Sequence, residues 1–170
     1  MREEDIKDLS AFLREFQAET DRGLPLVAAA VVDEKLEKAL AGFFRETGAA
    51  KRLLDDNGPL ATFSARIDAC HALGLITDHE FHECNLIRKV RNEFAHKTHG
   101  LTFKTKIVHE LCMSLKSGPL PGADKTDARM RFVNACVMMV TALYYRGEWV
   151  ARERREEKDW YALGFAKARE

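Results

Sequence analysis

The sequence predicts an all-α fold, a single-domain bundle of several helices without a sheet. Apolar residues recur at intervals of three and four along most of the chain, the spacing that gives a helix one buried face. No segment alternates apolar and polar residues long enough to indicate a strand. The 170 residues are 46% hydrophobic and 32% charged, so one globular domain over residues 1–170 can bury its own core.

Four helices are predicted in the first half of the chain. The second begins with Pro25 in its first turn, where the missing N–H has no consequence, and ends near Gly48. A short helix at residues 51–54 precedes a loop at residues 55–59, and the fourth helix closes at Gly74, a suitable C-terminal cap. The apolar faces of the three longer helices comprise Ile6, Leu9, Leu13 and Phe16, then Val27, Val31, Val32, Leu36, Leu40, Phe43 and Phe44, then Phe63, Ile67, Cys70 and Leu73.

The second half of the chain begins with a capping box formed by Thr77 and Glu80, which predicts a helix from there to about His96. A further helix carries Ile107, Val108, Leu111 and Leu115. Asp124 is a candidate N-cap for a last long helix near residues 126–150. That helix is apolar on nearly all sides, which predicts a position in the centre of the bundle. The charged appendage at about residues 152–170 is predicted to be an outer helix packed by its aromatic side chains, with a partner-binding tail as the alternative.

Composition excludes several classes of protein. The formal net charge is zero, which argues against tight binding of nucleic acid by the surface as a whole, though not against a local basic patch. The charged N-terminus lacks the apolar core of a signal peptide, and the longest apolar stretch, residues 132–145, is shorter than the ~20 residues that span a bilayer. The four cysteines form no C-x-x-C pair and are predicted to be reduced and buried. We therefore expect a cytoplasmic protein without membrane contact.

An ordered series of short motifs occupies residues 56–96. The motifs are Asn57-Gly58-Pro59-Leu60, Phe63-Ser64-Ala65-Arg66-Ile67, Leu73-Gly74-Leu75-Ile76 and Ile87-Arg88-Lys89-Val90-Arg91-Asn92-Glu93-Phe94-Ala95-His96. With the preceding apolar helix they form a signature block over residues 22–97. This block resembles the mannitol operon repressor family of bacterial regulators.

The resemblance implies a helical transcription regulator that lacks a recognisable DNA-reading module. The nearest candidate for a helix-turn-helix would open its second helix with Asp78, Glu80 and Glu83, acidic residues that would repel phosphates at the recognition end. We therefore expect the protein to act on a regulatory protein partner, as a homo-oligomer. No Gly-rich phosphate loop and no complete set of metal ligands is present, so neither a cofactor nor a metal is expected.

Residues 91–96 also resemble the Arg-x4-His motif of HEPN domains, helical bundles of which some cleave RNA without metal. That resemblance implies an alternative, a metal-independent ribonuclease or its inactive RNA-binding relative. In it Arg91 would hold the scissile phosphate, His96 would act as general acid or base, and Asn92 would orient His96 or the phosphate. Asn92 and His96 are four residues apart and share a helix face, opposite the face of Val90 and Phe94. A structural or interface role is the other interpretation of the same residues.

Basic residues concentrate around the same segment and give a third interpretation, a non-specific DNA binder that contacts phosphates. They are Arg88, Lys89, Arg91, Lys97, Lys104 and Lys106. Cations near a helix C-terminus also stabilise the helix dipole, so a structural explanation stands beside the functional one.

Arg66 is a charged residue in an otherwise apolar helix. The sequence predicts that it pairs with a nearby carboxylate, Asp56 or Asp68, and so fixes the loop at Gly58-Pro59. Ligand binding by these three residues is the alternative interpretation.

Overall fold

The structure, a computed structural model, describes residues 2–97, 99–118, 124 and 126–162. Within these residues it contains α-helices and one 3-10 turn but no strand, which confirms the predicted all-α fold. The helices are α1 (Glu3–Ala18), α2 (Gly23–Phe43), α3 (Gly48–Leu54), α4 (Phe63–Ala72), α5 (Asp78–His96), α6 (Lys106–Met113), α7 (Ala128–Leu143) and α8 (Arg146–Val150). The 3-10 turn, Ala151–Glu153, follows α8 directly.

Helix α2 occupies the centre of the bundle. It contacts α1, α3, α4, α5, α7 and α8, and it buries Leu24, Val32, Leu36 and Leu40 completely. Removing four such side chains from water contributes roughly 1.5–3 kcal/mol each to folding. The central helix is thus the second along the chain and not the last long one.

Helix α2 ends earlier than the sequence predicted. Its last residue is Phe43, and Gly48, predicted to end α2, instead begins α3. The hydroxyl of Thr47 accepts a hydrogen bond from the N–H of Ala50 at 3.2 Å, so Thr47 is the N-cap of α3. The short helix predicted at residues 51–54 is the second half of α3.

The hairpin of α4 and α5 follows the predicted caps. Gly74, with φ +71°, closes α4 in the left-handed region that glycine tolerates. The hydroxyl of Thr77 accepts from the N–H of Glu80 at 3.2 Å, and the N–H of Thr77 donates to the carboxylate of Glu80 at 2.8 Å. This is the predicted capping box, and α5 runs from it to His96 as expected.

The long apolar helix predicted near residues 126–150 is two helices, α7 and α8. The N-cap of α7 is Asp127, which accepts from the N–H of Met130 at 2.9 Å, whereas the predicted cap, Asp124, belongs to the preceding turn. Helix α7 forms one wall of the core and not its centre, because its outer side stays in solvent, with Met138 56% exposed.

Helix α8 crosses α2 at two glycines. A Cβ added to Gly42 would lie 2.4 Å from the carbonyl oxygen of Gly147, and one added to Gly147 would lie 2.9 Å from the carbonyl oxygen of Lys38. Both neighbours are backbone atoms, which cannot rotate away as a side chain does. The close approach of the two helices therefore requires glycine at both positions.

The segment after α8 is tied to the end of α2. Arg154 donates to the carbonyl oxygen of Gly42 at 3.0 Å and forms an ion pair with Glu46 at 2.8 Å. Trp160 and Tyr161 are largely exposed, so the aromatic packing predicted for the appendage is wrong at these two residues. The remainder of that predicted helix, residues 163–170, lies outside the described residues.

The four cysteines are free and buried, as predicted. Burial raises the pKa of the Cys70 thiol to about 12 and that of the Cys112 thiol to about 12. Among the described residues, no helix combines the length and apolar character needed to cross a membrane.

Candidate functional site

The second half of α5 presents two faces of opposite character. Val90 and Phe94 are buried in the core, whereas His96 is exposed and Asn92 is half-buried on the opposite side. This confirms the facing that the helical spacing predicts. The amide and the imidazole therefore lie on a surface where an external molecule can reach them.

The structure brings together two of the three residues of the Arg-x4-His motif. The guanidinium of Arg91 donates from Nη1 to Oδ1 of Asn92 at 3.0 Å. Within the described part of the chain, the ring of His96 makes no hydrogen bond, and it lies about one helical turn beyond Asn92. Arg91 and Asn92 thus form a pair, and His96 stands apart from it.

A groove of about 360 Å³ runs between the start of α4 and the second half of α5. Residues 61–64 line one wall, and Arg88, Arg91 and Asn92 line the other. Asp33 of α2 also contributes to the lining. The two predicted site residues that lie together, Arg91 and Asn92, therefore face the first turn of a neighbouring helix.

Arg66 lies behind this groove and has different partners from those predicted. Its guanidinium contacts Asp33 and Glu37 of α2, each at 3.0 Å, and its side chain is only 9% exposed. Asp56 and Asp68, the predicted partners, are exposed. The prediction was wrong because α4 packs its Arg66 face onto α2, where two carboxylates one turn apart neutralise the buried charge.

The six basic residues of the predicted patch have different surroundings. Lys97, the C-cap of α5, pairs with Glu93 of that helix at 3.3 Å, and Lys106 pairs with Glu110 of its own helix, α6, at 4.0 Å. Lys104 lies in another groove, of about 430 Å³, whose lining includes Asp21, Asp124 and Asp127. Lys89 is exposed, while Arg88 and Arg91 share the groove beside α4.

Glu80 and Glu83, two of the acidic residues that argued against a helix-turn-helix at this position, are buried. Arg146 of α8 donates to Glu80 at 2.6 Å. Burial acts to raise the pKa of Glu80, but the hydrogen bonds from Arg146 and from the N–H of Thr77 hold it below its ordinary value. Of the three acidic residues in that argument, Asp78 alone is exposed, and it contacts His71 at 2.8 Å.

Glu83 is fully buried and holds the segment that follows α6. Its carboxylate accepts from the N–H of Lys116 at 2.9 Å and from the N–H of Ser117 at 3.3 Å. A buried carboxylate is stabilised when backbone N–H groups satisfy its oxygens. Glu83 is therefore a structural residue that joins the start of α5 to the end of α6.

Asp33 and Thr62, which line the groove, were not predicted from the sequence, and Ser64 was noted only as part of a motif. Thr62 is the N-cap of α4, and its hydroxyl accepts from the N–H of Ala65 at 3.2 Å. One local signal was present, since Asp33 and Glu37 stand four apart on a helix that is otherwise apolar on that side. Their spacing indicates a cation packed against α2 but not which one.

Comparison with known proteins identifies the family. No curated protein sequence matches the chain. The fold is similar to that of a chain in the X-ray structure of the MtlR–HPr complex from Escherichia coli, with a TM-score of 0.58 and 21% identity, covering 84% of this chain and 98% of that one. The family described as mannitol repressor matches residues 12–137. Because this match spans well over half of the 170 residues, the chain belongs to the mannitol repressor family.

Proposed function

We propose that this protein is a mannitol repressor-like transcription regulator that acts through protein–protein contacts and not by reading DNA bases. The observation that carries the proposal is the membership of the mannitol repressor family over residues 12–137. A protein of the same fold was solved as an MtlR–HPr complex, which makes an HPr protein the partner to test first.

The exposed strip of α5 is the contact surface that we propose. It carries Lys89, Asn92 and His96, which follow one another at intervals of three and four and so share one side of the helix. Lys89 and His96 are exposed and make no hydrogen bond to the described residues. Because these two side chains make no hydrogen bond within the described structure, a partner protein can cover and bond them without breaking one.

Calorimetric titration of the purified chain with HPr from the same organism tests the proposal. We expect saturable binding, weakened at least tenfold by Lys89→Glu and by His96→Ala. Lys51→Glu is the matched control, since Lys51 of α3 is, like Lys89, an exposed lysine that forms no ion pair with the described residues. Absence of binding at several hundred micromolar HPr would refute the partner. Equal affinities for the strip variants and the control would refute the surface while leaving the partner intact.

Contact with nucleic acid is a second candidate, favoured by two adjacent guanidiniums, of Arg88 and Arg91, that have no acidic partner within the described residues. A gel shift at low and raised salt tests it, because binding driven by phosphate contacts falls steeply with salt.

Incubation with labelled RNA in chelator tests the ribonuclease alternative. Cleavage that is lost in His96→Ala would support the enzyme, and intact RNA would reject it.

A further inference from the structure

We propose that the groove between α4 and α5 binds a small phosphate monoester that also carries hydroxyl groups. The site borders the partner-binding strip and shares Asn92 with it, and the proposal holds whether or not that strip binds HPr. The groove, of about 360 Å³, lies entirely within the described residues. Its size falls in the range of ~300–1,000 Å³ that is usual for small-molecule sites.

Two guanidiniums in the groove are available for an oxyanion. Among the described residues, the side chain of Arg88 donates a hydrogen bond only to the amide oxygen of Asn85, at 3.4 Å, and that of Arg91 only to the amide oxygen of Asn92, at 3.0 Å. Neither forms an ion pair with a carboxylate of the described residues, in contrast to the buried Arg66, which has two. Arginines placed together without acidic partners suit bidentate recognition of phosphate or carboxylate oxygens.

The opposite wall adds uncommitted backbone donors. The N–H of Ala65 is taken by the hydroxyl of Thr62, and the N–H of Arg66 by the carbonyl of Thr62. The N–H groups of Phe63 and Ser64, in the first turn of the ten-residue α4, have no acceptor within the helix. Both residues line the groove together with the arginines, so the first turn of α4 can add backbone donors to the proposed site.

Two side-chain atoms of the lining residues, one acceptor and one donor, have unfilled hydrogen-bond positions. Oδ2 of Asp33 is held by Arg66, whereas Oδ1 of Asp33 is buried and has no partner among the described residues. Nε of Arg88 is likewise buried without a partner. Buried polar atoms are normally hydrogen-bonded, so two unmet positions around one groove are unusual. Both atoms are closed to solvent as the side chains stand, so a ligand meets them only after Asp33 and Arg88 turn toward the groove. A hydroxylated phosphate then satisfies both, its hydroxyl donating to the carboxylate of Asp33 and its phosphate accepting from the guanidinium of Arg88.

Proton–nitrogen NMR of the intact 19.3-kDa chain, labelled with 15N, provides a test that reports on location. The probes are glycerol 3-phosphate, inorganic phosphate and glycerol, titrated separately. We expect glycerol 3-phosphate to shift the amide signals of Phe63 and Ser64 in a saturable manner. Inorganic phosphate should produce weaker shifts at the same positions, and glycerol none.

Variants separate the groove from general charge effects. Arg91→Gln, at an exposed position that does not threaten folding, should weaken binding of glycerol 3-phosphate by about tenfold or more, since hydrogen bonds to charged groups typically contribute that much. Arg52→Gln, at an exposed arginine of α3 outside the groove, should leave the affinity unchanged. Circular dichroism verifies that both variants are folded.

Several outcomes overturn the proposal. One is the absence of saturable shifts at Phe63 and Ser64 with glycerol 3-phosphate up to tens of millimolar. Another is an affinity that Arg91→Gln and Arg52→Gln change equally, which would indicate diffuse attraction of anions. A third is a single-stranded oligonucleotide that shifts these signals when the small ester does not, which would make the groove a nucleic-acid contact.

Discussion

The crossing of α2 and α8 gives a sharp test of the packing, through the substitution Gly42→Ala. The added Cβ would meet the carbonyl oxygen of Gly147 at 2.4 Å, and also its carbonyl carbon at 3.2 Å and its Cα at 3.3 Å. Ordinary contacts of a Cβ begin at 3.4 Å, so the two backbones must separate by about 1 Å. These three nearest atoms all belong to the backbone of Gly147, which cannot rotate away as a side chain does.

The expected net effect is destabilisation by about 1–2 kcal/mol. Forcing an extra methyl group into a packed contact costs ~1–3 kcal/mol. Alanine recovers at most ~1 kcal/mol over glycine through its higher helix propensity and its smaller loss of backbone entropy. For a chain of this size, each kcal/mol lowers Tm by ~2–4 °C, so a decrease of roughly 2–8 °C is expected.

Urea unfolding followed by circular dichroism at 222 nm measures this difference. The matched control is Gly48→Ala at the start of α3, where the nearest atom to the new Cβ is the mobile end of Arg52 at 3.5 Å. The control should be as stable as the wild type or gain up to ~1 kcal/mol. If Gly42→Ala proved as stable as Gly48→Ala, the two helices would not be as close as the structure shows.

Three further predictions concern buried groups. Glu83→Ala leaves two backbone N–H groups without their acceptor and should lower the free energy of unfolding by about 2 kcal/mol or more in urea, whereas the exposed Glu110→Ala should change it by less than ~0.5 kcal/mol. Folding lowers the pKa of Glu80, so the ionised carboxylate contributes to the free energy of unfolding at pH 7, and this contribution is lost as the pH falls below the ordinary value of 4.5. The difference in stability between wild type and Glu80→Gln should therefore be smaller at pH 3 than at pH 7. Iodoacetamide at pH 8 should leave Cys70 and Cys112 unmodified in the native protein and alkylate both in urea, by peptide mass mapping.

Helix ends proved predictable where one local signal decides them. The side chains of Thr77 and Glu80 each accept a hydrogen bond from the backbone N–H of the other residue, which sets the start of α5. Gly74 adopts a positive φ that few other residues tolerate, which sets the end of α4. Both boundaries therefore follow from the sequence. The start of α7 was missed because Asp124 and Asp127, three residues apart, carry the same capping signal. Which of them caps the helix depends on how α7 docks against α5 and α6, a long-range contact without a local mark.

The candidate site was predictable in its orientation but not in its composition. The period of 3.6 placed Val90 inside and His96 outside correctly. The partners of Arg66 were wrong because the prediction considered carboxylates near it in sequence, whereas Asp33 and Glu37 lie about thirty residues earlier. The groove is likewise formed by the docking of α4 on α2 and α5, so no pattern within a single segment predicts it.

The polar cluster beside the groove, formed by Arg66, Asp33, Glu37 and Arg88, is a costly arrangement for the stability of the fold. Burying the charge of Arg66 requires both carboxylates, and Asp33 and Arg88 keep buried atoms that bond to nothing in the described structure. Replacing such a cluster by apolar residues of similar volume is often neutral or stabilising by ~1–4 kcal/mol. Elsewhere on α2, the buried residues between Leu24 and Leu40 are apolar. The unpartnered atoms of Asp33 and Arg88 belong to residues that line the groove, and local conflicts with stability concentrate at functional sites, so the proposed ligand accounts for them better than folding does.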